Sequence, residues 1–152
     1  MQTTFNVNTN VRTQFLKYFE NYTLEQLNKI PSGFSNNIIW NIAHCLVIQQ
    51  MLLNKLSGMA LEISDEFSET YKNGSTPSGK TTQNEVNYIK SILFSTTEKI
   101  KKNFEMGFYV NYNEFTTKST GFNIKNAKQA LEFNNFHEGI HLGVMLQIKK
   151  FI

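Results

Sequence analysis

Two prolines in 152 residues, Pro31 and Pro77, set the strongest limit on what this chain can fold into. Proline has no backbone N–H to donate and its ring clashes with the preceding turn, so it ends helices. Both prolines sit in segments rich in Gly, Ser and Asn, and the long tracts around them are free of it. Those tracts repeat apolar residues every three or four positions, the period of a helix with one buried face. Val11, Phe15, Tyr18 or Phe19, and Tyr22 predict a first helix that begins at Val11. Thr23 with Gln26 forms a capping box for a short second piece, which must stop before Pro31.

The stretch 36–57 holds Ile38, Trp40, Ile42, Leu46, Val47, Met51, Leu52 and Leu56, dense enough for a deeply packed helix with Gly58 as its C-terminal cap. Tyr71–Gly79 reads as a loop, with Asn-Gly and further turn formers. Thr82 and Glu85 make a second capping box, behind which Val86, Ile89, Leu93, Ile100 and Phe104 predict another helix. After a loop over 106–123, Asn126 with Gln129 can cap a last helix. Leu131, Phe133, Phe136, Ile140, Val144 and Ile148 are its expected inward face. No segment alternates as a strand does. The expectation is an all-α four-helix bundle spanning 1–152 as one domain.

Charge and composition narrow the classes of function. Of 15 cations 14 are Lys, Arg12 is the one arginine, and the net charge is +3. A nucleic-acid reader relies on arginine's planar two-pronged geometry, so no nucleic-acid partner is expected. The single cysteine, Cys45, fits a reducing compartment. The opening residues show no signal-peptide pattern and no apolar run is long enough to span a membrane, so a soluble, cytoplasmic protein is expected.

The chemistry concentrates in histidine. The chain has three, His44, His137 and His141, all on predicted helices. Residues four apart project from one face, so His137 and His141 can both reach one metal ion. Trp40, His44, Val47 and Met51 follow one another at helical spacing, which puts His44 on a buried stripe. A bundle can bring these two helices into contact, as metal sites in such folds require. The competing reading is a hydrogen-bonded polar cluster in the core.

His137-Glu138-Gly139-Ile140-His141 also matches the metalloprotease pattern His-Glu-x-x-His. Such an enzyme needs a third ligand downstream, and the eleven residues after His141 contain no His, Asp or Glu. A peptidase is therefore not expected.

Asn41-Ile-Ala-His44, the loop Tyr71-Lys-Asn-Gly-Ser-Thr-Pro77, and Phe136-His-Glu-Gly-Ile-His-Leu-Gly143 together resemble the DinB-like superfamily of four-helix proteins over nearly the whole chain. The resemblance implies that His44, His137 and His141 bind a divalent metal, zinc or nickel, at a site with an open position. It also implies a homodimer, and either a thiol S-transferase using a low-molecular-weight thiol or an unassigned activity.

Three imidazoles with an open position are the arrangement of a catalytic site, where a bound water or thiol becomes a nucleophile near neutral pH. Hydrolysis of a small molecule and thiol transfer follow equally from such a site. A non-catalytic metal- or ligand-binding bundle, with a stress-related or interaction role, is the alternative. Asn41 and Glu138 are candidates to orient the rings, although Glu138 lies about 100° round the helix from His137 and is expected as a solvated or interfacial carboxylate. Trp40 and Met51 are expected in the core, and Cys45 as an inert buried thiol. Gly139 and Gly143 are expected to let a neighbouring helix approach closely.

Overall fold

Around one helix, Ile38–Leu53, the rest of the chain is arranged, and a computed structural model describes all residues from 1 to 152. This helix, α3, is predominantly apolar and buried on every side, its polar residues gathered on no one face, and only Ile48 and Met51 escape full burial. A helix with no polar face can only sit inside a bundle. In chain order the helices are α1 (Gln2–Asn21), α2 (Leu24–Asn28), α3, α4 (Asp65–Tyr71), α5 (Gln83–Glu105) and α6 (Ala127–Ile148). The long helices α1, α3, α5 and α6 form a ring in which α3 and α1 each pack against both α5 and α6. This is the expected all-α four-helix bundle, with α2 and α4 as short additions.

Local sequence explains most of the boundaries. Both capping boxes form: Thr23 and Gln26 open α2, and Thr82 and Glu85 open α5. Asn126 Oδ1 accepts from the amide of Gln129 at the start of α6. Asn37 does the same for Trp40, so α3 begins at Ile38 rather than at 36. At its far end α3 stops at Leu53, and a 3-10 turn over Lys55–Ser57 follows, ended by Gly58 at φ 71°. That left-handed conformation favours glycine. Asn54 ends the α-helix by donating to Gln50 Oε1 and the Ala60 carbonyl.

Besides the bounds of α3, the structure departs from expectation in α1, in α4 and in the loop 106–123. α1 begins at Gln2, nine residues before Val11, because its buried face continues through Phe5, Asn8 and Arg12. Two polar residues there interrupt the apolar period. α4 falls in a segment given no helix, capped by Ser64 and anchored by Phe67 and Tyr71. The loop 106–123 contains the first strand of a two-stranded antiparallel pair, Phe115–Thr116, and ends at the second, Asn123–Ile124, both too short for alternation to show.

α6 differs most in which face it buries. Leu131 and Ile148 point inward as expected, but Phe136 and Ile140 are about half exposed. In their place Asn134, Glu138 and Met145 are buried. No helix is long and apolar enough to cross a membrane.

Candidate metal centre

The packing of α3 against α6 brings the three histidines together. Ring centroids lie 5.2 Å apart for His44 and His137, 4.8 Å for His44 and His141, and 4.6 Å for His137 and His141. One nitrogen from each ring falls within 4.8 Å of the others, a group that could hold a metal ion. No other cluster of His, Cys, Asp or Glu in the chain has this property.

Two rings are fixed by what their Nδ1 atoms touch. His44 Nδ1 lies 2.7 Å from the carbonyl oxygen of Tyr71, the last residue of α4. A carbonyl only accepts, so this nitrogen carries the proton and Nε2 keeps its lone pair. His141 Nδ1 lies 2.7 Å from Asn41 Oδ1. The Asn41 amide nitrogen is already spent on Asn36 Oδ1 and the Asn37 carbonyl, so Asn41 presents its oxygen to the histidine. Trp40 stacks on His44 with centroids 4.5 Å apart and planes 11° from parallel, and its indole N–H donates to Ser75 Oγ.

His137 is different. Its Nδ1 is buried and has no hydrogen-bond partner in the protein. An unpartnered buried polar atom is costly, and most have a partner in the functional state.

Electrostatics keep all three rings neutral at physiological pH. Burial is the first cause in each case, since it penalises the charged form. It pushes His44 below the ordinary value, against a smaller opposing effect of the Tyr71 carbonyl. His137 is brought down to about 3 by burial, then by His141, His44 and Arg12, and His141 to about 4 by burial and then His44. Neutral imidazoles with free Nε2 lone pairs, beside an unpartnered Nδ1, are the donor set of a metal centre, and the residues present fit a divalent ion.

Beneath the histidines lies a buried polar group that sequence spacing did not predict. Glu138, expected in solvent or at an interface, is fully buried and accepts from Arg12 through both oxygens, Nε to Oε2 at 2.9 Å and Nη2 to Oε1 at 2.5 Å. Asn134 Nδ2 donates to Oε1 at 2.7 Å. The signal was available in Arg12, the sole arginine, one turn before Phe15 on the inward stripe of α1. Tyr71 acts through its backbone and leaves no trace in residue type.

The remaining candidates sort simply. Asn41 does orient a ring, that of His141 across the helix interface rather than that of His44 on its own helix. Cys45 is fully buried, and burial first, then Glu138, pushes its thiol up. That is an inert thiol, as expected. Trp40 is buried but also forms one wall of the histidine cluster. Gly139 and Gly143 receive no neighbouring helix: a Cβ added at either would meet nothing within 4 Å.

Residues 9–145 match the family model described as the DinB superfamily. Among curated proteins, the chain finds no match.

Proposed function

The chain belongs to the DinB superfamily, and from that premise we propose that it is a divalent-metal-dependent enzyme whose ligands are His44, His137 and His141. The carrying observation is the convergence of three neutral imidazoles from two helices, with nitrogens within 4.8 Å of one another. An all-imidazole set suits zinc, nickel, copper and iron alike, and of these the family resemblance favours zinc or nickel. Bound there, such an ion supplies Lewis acidity that lowers the pKa of a water or thiol toward neutrality. With three protein ligands, a position is left for a small-molecule substrate.

The chain's own residues orient and shield the donors. The Tyr71 carbonyl and Asn41 Oδ1 each accept a ring N–H, which directs Nε2 of His44 and His141 away from those partners. Trp40 covers one face of His44 and excludes water from it. The reaction proposed is S-transfer to a low-molecular-weight thiol, or hydrolysis of a small molecule. We place the enzyme in the cytoplasm, where a lone cysteine stays reduced, and propose that it works as a homodimer, with no nucleic-acid partner.

One observation favours a second reading, a non-catalytic metal- or ligand-binding bundle. An open surface groove of about 570 Å³ is lined by Phe122, Phe133 and Phe136 together with Thr120, Gln129 and Glu132, and not by the histidines.

The test is metal content by mass spectrometry on untagged protein, alongside His44→Ala and His137→Ala. About one equivalent of zinc or nickel in the parent, lost in both variants, is expected, and justifies assays of thiol transfer and hydrolysis. A parent that takes up neither metal after incubation overturns the proposal. Light scattering tests the dimer.

A further inference from the structure

We propose that Arg12 and Glu138 are positioning residues that set the rotation of α6, and through it the placing of His137 and His141 against His44. The proposal rests on the metal-centre reading above.

The sequence of α6 contains two candidate inward faces. One is apolar and runs through Phe133, Phe136, Ile140 and Val144. The other, which the structure buries, runs through Leu131, Asn134, Glu138, Met145 and Ile148. The two are related by a turn of the helix of roughly 130°, somewhat more than the angle of one residue. Hydrophobic burial alone does not decide between them, since the observed face buries Ala127, Ala130, Leu131, Met145 and Ile148 but leaves Phe136 and Ile140 about half in solvent and takes in a carboxylate.

What distinguishes the observed face is directional. Glu138 follows His137 and precedes His141 by one turn, so any rotation that moves Glu138 moves both histidines. Its carboxylate is gripped at both oxygens by Arg12 of α1, whose Nη1 reaches the Leu93 carbonyl of α5 at 3.5 Å. Asn134, on the same face of α6, closes the remaining side. A two-pronged Arg–carboxylate pair fixes angle as well as distance. A buried ion pair is a weak source of stability compared with apolar residues of like size, and its best-attested use is setting register. The other ion pair, Lys72 with Glu69, lies on the surface within three residues of sequence and sets nothing between helices.

The pair also accounts for the precision that the His141 contact demands. Nδ1 of His141 must meet Asn41 Oδ1 across the α3–α6 interface at 2.7 Å, and a small rotation of α6 breaks that bond.

The experiment compares the parent with R12M/E138L, which replaces the pair by apolar residues of similar size. On metal-free protein, nitrogen-15 chemical shifts of the histidine rings report the tautomer of His141, and circular dichroism reports the fold. The parent is expected to show one His141 tautomer, protonated at Nδ1. The variant is expected to keep its helical content and thermal midpoint, to show mixed tautomers at His141, and to bind zinc at least about ten-fold more weakly. A variant that keeps the single tautomer overturns the inference, as does one whose zinc affinity stays within about two-fold of a zinc-binding parent. Should R12M/E138L not fold, E138Q is read in the same way. Because the tautomer is read without metal, a parent that fails to bind zinc overturns the proposed function alone.

Discussion

Asn41 and His141 are one hundred residues apart in sequence and meet at 2.7 Å, amide oxygen to ring Nδ1, across the α3–α6 interface. The bond ties a ring on the last helix to the first turn of α3, where the amide nitrogen of Asn41 also holds Asn36 and the Asn37 carbonyl.

Removing that acceptor should loosen the ring. For Asn41→Ala we expect a fall of about 10–100-fold in metal affinity, the usual effect of losing a partner behind a ligating histidine. Asn41→Asp, which keeps an acceptor oxygen, should lose less. Competition against a chromogenic zinc chelator measures both, and equal affinity in parent and Asn41→Ala would remove the residue from the site.

Arg12→Met alone should be much worse for folding than the paired replacement. It leaves the Glu138 carboxylate fully buried without its cation, a loss of about 3–5 kcal/mol. R12M/E138L should recover most of this. Urea unfolding of the three proteins gives the comparison, and a mild single variant would show that water or another group reaches Glu138.

Acid should destabilise the metal-free protein through its histidines. In the unfolded chain they titrate near ~6.5, whereas the folded values are about 3 for His137 and about 4 for His141. Above the unfolded value neither state binds a proton, so the contribution to stability is intact. As pH falls below it the unfolded state takes up protons first, and stability is lost by up to about 1.4 kcal/mol per pH unit for each such histidine. The loss should run from pH 6.5 downward and level off near the folded values. Urea midpoints at pH 7 and 5 measure it, and the slope between them should flatten in His137→Gln.

Gly139 and Gly143 should be replaceable with gain. Each lies inside α6 with ordinary helical backbone and open space where a Cβ would be. Alanine at either position should stabilise the helix by about 0.8–1 kcal/mol. A loss of stability in the thermal melt would mean that something packs on that face.

Where local rules govern, the chain was readable. The caps at Thr23, Thr82 and Asn126 form as their spacing requires, because a side-chain oxygen and an amide three residues on need no other part of the molecule. The histidines were readable as a group because two share a helix face and the third lies on a buried stripe. The faces of α1 and α6 were not, because polar residues occupy them. Asn8, Arg12, Asn134 and Glu138 break the apolar period at the positions that are most buried. Pattern reading assigns such residues to solvent.

The sequence by itself therefore determined the four long helices, the caps of α2, α5 and α6, the bundle and the identity of the candidate ligands, since these follow from residue type and short-range spacing. Tertiary structure alone decided which way α6 turns, which oxygen stands behind each histidine, and where the one arginine finds its carboxylate. The reason is physical: a buried charge or amide is tolerated only when its partner is supplied, and here the partners come from helices that are distant in the chain.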